Sequence, residues 1–295
     1  MSIKISEKVT GAFDGNMQSS SAVELPFACP PFFVSNGDAR LEQAGGVHYF
    51  GGWACSTEKL QIASESWEDR PFPIPGLTQT DIIVKKNQKL QVLASRNILV
   101  APIGVRQFST ITADDGRKQR VAPFTKGARP GIQVLCILGY KDANKAIQPY
   151  MPVMLTASGY QVNHTQDAFA NWNKAIKPLI KKLLPNVEPS KISNLFWMSI
   201  GTFGTKPNFV SVGKGDQGNT ITPISAYIPE TLDEKVLETL YVGDDVSEWM
   251  ADLSALAKDW LQVFRNMTPA KPVTEPEEPH DFDQEPPPPE DDIPF

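Results

Sequence analysis

The sequence predicts an α+β protein with a β-rich body, a C-terminal helical segment and an unfolded acidic tail. Three observations predict it. Short β-branched or alternating runs recur from residue 25 to 228, separated by glycine and proline. One apolar stripe at helical spacing follows at 246–264. Beyond Thr268 the apolar residues nearly vanish while proline and acid accumulate. Four segments result: a flexible N-terminus (1–24), a β-rich core (25–228), a helical segment (229–267) and the tail (268–295).

Residues 1–24 are polar and Ser-rich, without the apolar core of a signal peptide. No stretch approaches eighteen apolar residues, so no membrane span is expected. The three cysteines, Cys29, Cys55 and Cys136, are odd in number and far apart. They imply no disulfide framework, and Cys29 and Cys136 sit in apolar runs that predict buried thiols. A reducing cytoplasm is the expected location.

From Leu25 to Ser56 the chain is dense in aromatics and glycine, as short strands with tight turns require. Asp81–Lys86, Leu90–Ala94, Ile98–Val105, Ile132–Tyr140 and Pro152–Ala157 read as strands, with a turn at Asp114-Asp115-Gly116. Residues 166–184 read as a helix on the spacing of Phe169, Trp172, Ile176, Leu179 and Leu183, bent or restarted by Pro178. Lys174, Lys177 and Lys181 share its outer face, an ordinary arrangement for a surface helix. Strands resume over 195–228. A helical pair follows, its second member carrying Val246, Trp249, Met250, Leu253, Leu256, Ala257, Trp260 and Phe264 in one stripe. Packing of that stripe on the body is the simpler expectation; packing on another subunit is the alternative.

The net charge of −6 conceals a division. Residues 1–227 carry +8, 228–267 carry −6 and the tail carries −8. A basic body behind an acidic end suits a polyanion binder. The basic residues concentrate at 85–129: Lys85, Lys86, Lys89, Arg96, Arg106, Arg117, Lys118, Arg120, Lys126 and Arg129, against only Asp114 and Asp115, with Phe108 and Phe124 among them. Single-strand binders combine cations for phosphates with aromatic rings for bases. The same pattern also suits a solvated sheet face with both rings in the core. Trp53, Tyr49 and Trp67 are further candidate platforms, though core positions explain each.

Other chemistry finds little support. Gly213-Lys214-Gly215 lacks the earlier glycine and the following Ser or Thr of a phosphate loop. His48, His164 and His280 have no partners at ligand spacing, and there is no Cys-x-x-Cys. No nucleophile–base pattern stands out. The protein is expected to be no enzyme and to need no cofactor or metal.

The tail holds nine acids against Lys271, and nine of the chain's 26 prolines. Such a segment cannot bury enough apolar surface to offset chain ordering. Its last five residues, Asp291, Asp292, Ile293, Pro294 and Phe295, break the pattern by offering two apolar side chains to a partner with a hydrophobic slot and a basic rim. This motif resembles the C-terminal tip of bacterial and phage single-stranded-DNA-binding (SSB) proteins. The resemblance covers about twenty residues. It implies a sequence-independent single-strand binder with an oligonucleotide-binding (OB) β-barrel, whose tip recruits DNA replication, recombination and repair proteins. The body, reaching to about residue 265, is either a heavily elaborated barrel or another β-rich fold carrying the same tail; a phage or plasmid origin is the expectation for it. A strand-annealing or recombination-mediator protein, or an adaptor that binds protein only, would fit the same residues. Homo-oligomerisation is left open.

Overall fold

The structure is a computed structural model that describes residues 24–36, 51–67, 72–83, 89–112, 118–204, 208–212 and 219–264. The N-terminus (1–23), the tail and the Gly213–Gly215 loop lie outside these residues.

The fold is mixed α/β, built on a strongly curled, half-barrel sheet. The strands are β1 (Pro31–Ser35), β2 (Gly52–Ser56), β3 (Thr78–Ile83), β4 (Lys89–Ser95), β5 (Asn97–Thr112), β6 (Lys118–Val121), β7 (Arg129–Lys141), β8 (Ile147–Ser158), β9 (Met198–Gly201) and β12 (Ser225–Tyr227). Their order is β12-β9-β5-β7-β8-β1-β2-β4-β3, and β6 also pairs with β5. β10 (Val210–Val212) and β11 (Asn219–Ile221) form a separate antiparallel ribbon. Every pairing in the large sheet is antiparallel except β1 with β8.

The long strands are the scaffold. β7 covers one edge of β5 from Leu99 to Thr110. The other edge is divided: β9 pairs with residues 97–100 and β6 with 109–112. Each end of β5 therefore carries its own neighbourhood. A bulge at Pro102/Gly104 inserts one residue into β5, and another lies between Leu138 and Gly139 where β7 meets β8. Bulges of this kind add local twist and bend the strands.

The helices are α1 (Thr57–Ser64), α2 (Gln161–Leu183), α3 (Pro189–Ile192), α4 (Glu234–Leu240), α5 (Asp244–Leu256) and α6 (Lys258–Gln262). α2 buries Val162, Ala168, Trp172, Ile176 and Ile180 against the sheet. It begins earlier than its apolar spacing predicts because a polar residue anchors its first turn. Gln161 Nε2 donates to the Thr222 carbonyl (2.7 Å) and Asn36 Oδ1 (2.8 Å), and its Oε1 accepts from Ile224 N (3.3 Å). Pro178 lies inside α2, which continues through it.

The C-terminal helices pack on the body. Met250, Leu253, Ala257 and Trp260 join the main core, and Phe264 joins a smaller cluster with Phe108 and Val263. The predicted continuous stripe is broken at Ala257, where the backbone (φ −86°, ψ 1°) ends α5 and turns into α6. Leu256, at the end of the first stretch, is 59% exposed. Cys55 and Cys136 are buried, Cys29 partly so, and all three are free thiols.

Candidate nucleic-acid interface

Strand register assembles a cationic edge at the far end of β5. Thr110 pairs with Arg120 of β6 on one side and with Arg129 of β7 on the other, and Thr112 pairs with Lys118. Directly paired residues share a sheet face, so Lys118, Arg120 and Arg129 project together. All three are exposed, as is Lys126 in the turn between β6 and β7. Residues 118–130 contain no acid.

Phe124 stands at the centre of that turn and is 85% exposed. Its φ of +63° is left-handed, an outlier for a bulky side chain. The turn is held by Thr125 Oγ1 donating to the Ala122 carbonyl (2.7 Å) and Ala128 N donating to the Thr125 carbonyl (3.1 Å). Gly159, with φ +62°, lies beside Arg129: a Cβ there would come within 3.1 Å of its Nε and Nη2. The absence of that carbon lets the arginine lie across the turn into α2.

Three candidates, Arg106, Phe108 and Arg96, are placed elsewhere than the sequence suggested. Arg106 is 6% exposed. Its Nε and Nη2 donate to Gln133 Oε1 (2.9 and 2.8 Å), and its Nη1 donates to the Trp260 carbonyl (3.2 Å). The guanidinium also lies 3.7 Å from the centroid of the Trp260 ring. Gln133 Nε2 in turn donates to Thr156 Oγ1 (3.3 Å), so a polar row crosses β5, β7 and β8 beneath α6. Burial, then the nearby Arg120 charge, pulls the Arg106 guanidinium down to about 9. The hydrogen bonds it donates to Gln133 and Trp260 favour the cation and oppose that pull. Phe108 is buried against Phe264 (5.8 Å between ring centroids). Neither side chain is free to meet a phosphate or a base. What Phe108 does is support Arg120, whose guanidinium sits 4.9 Å from its ring centroid.

Arg96 is also remote from the cationic edge. It forms the tight link from β4 to β5, half-buried, with Nε 3.5 Å from Thr202 Oγ1. Its Nη2 is buried without a hydrogen-bond partner. Lys85, Lys86 and Arg117 lie outside the described residues, as do the side chain of Lys89 and the motif Asp291–Phe295. Tyr49 lies outside them too. Trp53 is core, and Trp67 packs edge-on against Trp249 (5.5 Å) while its Nε1 donates to the Ala28 carbonyl (3.2 Å). On the lysine stripe of α2, Lys181 Nζ donates to the Pro185 carbonyl (2.7 Å); the next residue, Lys182, pairs with Glu234 (3.0 Å).

A second concavity, missed in the sequence, opens at the other end of β5. It holds about 620 Å³ and is walled by Tyr140, Lys141, Trp197, Phe203 and Tyr227. The signal for it was the alternation of Trp197 with the small Ser199, and the glycine at 139, which become neighbours only once the strands are in register.

Among the described residues no helix is long and apolar enough to cross a membrane, and no group of three or more His, Cys, Asp or Glu side chains comes together as a metal site. No protein-family model, curated protein or solved structure matches the chain.

Proposed function

We propose that this protein binds single-stranded DNA without sequence selectivity through the Lys118–Arg129 edge, and that its Asp291–Phe295 motif recruits DNA replication, recombination and repair proteins. One observation carries the reading: an 85% exposed ring, Phe124, in the turn of the hairpin that also carries exposed Lys118, Arg120, Lys126 and Arg129, with no carboxylate in residues 118–130. A lone exposed ring is ordinary at a protein surface; held here by a left-handed backbone among cations, it suits a platform on which bases can stack. Cations spaced around it suit a phosphate backbone, whose neutralisation releases counterions. In this reading the curled ten-stranded sheet is an elaborated counterpart of the five-stranded OB barrel. The acidic motif supplies recruitment through its apolar side chains and carboxylates.

The test is fluorescence anisotropy with labelled oligo-dT at two salt concentrations. Binding should weaken with salt. Alanine at Lys118, Arg120 and Arg129 should flatten the dependence by about 0.7 in logarithmic slope for each phosphate no longer neutralised. Absence of binding in dilute buffer would refute the proposal. Phe295→Ala should remove partner capture and leave oligo-dT affinity intact.

A further inference from the structure

The cleft at the near end of β5 has a specific construction. Tyr227 pairs with Ser199, Ser199 with Leu99, and Leu99 with Gly139, so these four form one row on one sheet face. The row is low at Ser199 and at Gly139, on either side of Leu99, with Tyr227 at its edge, and all four residues line the cleft. Trp197, two residues before Ser199, forms the floor. Its ring lies 2.8 Å from where a Cβ on Gly139 would be, so the hollow and the indole beneath it both depend on glycine there.

The walls are aromatic and partly open to solvent. Tyr227 is 50% exposed, and its ring lies against that of Phe203 (centroids 5.6 Å apart, 40° between planes). Tyr140 is also among the lining residues, its ring braced edge-on by Tyr150 (6.0 Å, 86°). Trp172 reaches the cleft from α2. It is buried, and its Nε1 has no hydrogen-bond partner. A buried donor without an acceptor is costly, and a water, an ion or a ligand in the cleft would satisfy it.

The charge is one-sided. Among the described residues lining the cleft there is no Asp or Glu, while Lys141 is present. The neighbouring Asp142 is engaged elsewhere: Oδ1 accepts from Asn144 N (2.8 Å) and Ala146 N (2.9 Å), and Oδ2 accepts from Gln148 Nε2 (3.0 Å). A flat ring with polar edges and an attached anion matches these features together. An aliphatic ligand would leave the Trp172 donor and the Lys141 charge unanswered.

We propose that this cleft is a second nucleic-acid subsite, taking one unstacked base against Tyr227 with the adjoining phosphate at Lys141. It deepens the single-strand reading and rests on it. It concerns a different part of the molecule, because Leu99 and Thr110 are 11 residues apart on β5, roughly 35 Å at the rise of a strand.

The probe is thymidine 5′-monophosphate added to the full chain, followed by tryptophan fluorescence and by calorimetry. The result expected is saturable binding that Tyr227→Ala and Lys141→Ala each weaken about tenfold and that is still present in Lys118→Ala/Arg120→Ala. Tyr227 is half-exposed on an edge strand, so its alanine variant should keep the parent's melting temperature; Tyr227→Phe, which retains the ring, should retain binding and guards against a folding defect. Absence of mononucleotide binding, or equal binding by Tyr227→Ala, overturns the proposal. Capture of an apolar dye or peptide without the mononucleotide overturns it in favour of protein docking. Oligo-dT affinity in the same variants separates the two readings. Oligonucleotide binding with an inert cleft sinks only the subsite, whereas mononucleotide binding without any oligonucleotide affinity sinks the single-strand function and, with it, the cleft's part in that function.

Discussion

Arg106 and Arg120 show how two arginines in one basic run come to opposite fates. Arg120 lies on a short strand at the edge of β5 and stays at the surface, resting on Phe108. Arg106 is covered by Trp260, 154 residues further along the chain. No local pattern distinguishes them, because the difference is set by where α6 lands. The Arg106–Gln133 pair should therefore matter for folding and not for nucleic acid. Gln133→Leu removes two of the cation's three hydrogen bonds and leaves it buried; the expected loss is about 3 kcal/mol in urea denaturation, with oligo-dT affinity unchanged in the folded fraction. Lysine at 106 should not rescue an Arg106→Ala variant, since it cannot present the flat fork that Gln133 and the Trp260 ring receive. Phe124→Ala should leave the melting temperature nearly unchanged and weaken oligo-dT about 5- to 150-fold, the range that removing one stacked base spans.

The long strands and the apolar C-terminal stripe were legible, because periodicity reports directly on burial. β5, β7 and β8 contain their β-branched runs, but β5 (16 residues) and β8 (12 residues) are twice as long as those runs and β7 (13 residues) is also longer. The stripe from Val246 to Phe264 is real but divided at Ala257, which sends Trp260 and Phe264 onto Arg106 and Phe108. A continuous helix would have carried them past. The start of α2 was illegible because Gln161, a polar residue, fixes it through hydrogen bonds to residues 61 to 125 positions away. The cleft was illegible for a related reason: Gly139 and Ser199 look like gaps in strand propensity until register sets them side by side. Gly139→Ala should push its methyl into the Trp197 ring and cost about 1–3 kcal/mol, measured as a lower urea midpoint at unchanged slope.

Across the whole molecule, buried acids of high pKa set the alkaline limit. Burial raises Cys55 to about 12 and raises Cys29 and Cys136 well above the ordinary thiol range, and burial foremost raises Tyr241 to about 12. Each holds its proton longer folded than unfolded. The stability they contribute is complete below about pH 9 and falls as pH rises from there towards 12. Arg106, lowered by burial, acts in the opposite sense; Arg120, drawn the same way where it lies over Phe108, is exposed and counts for less. Urea midpoints at pH 8 and pH 10.5 should show the decline. Charge has a long-range arrangement too. Phe264 packs against Phe108, whose ring lies beneath Arg120, and the −8 tail follows four residues later in the sequence. Removing residues 268–295 should accordingly tighten oligo-dT binding at low salt and have little effect at high salt, where screening shortens the tail's reach. The comparison that decides most is oligo-dT anisotropy, in dilute buffer, between the parent chain and one carrying Phe124→Ala with Lys118, Arg120 and Arg129 also changed to Ala. The account predicts strong, salt-sensitive binding by the parent and at least a hundredfold loss in the quadruple variant at an unchanged melting temperature. Equal affinity in the two proteins, or none in the parent, would contradict it.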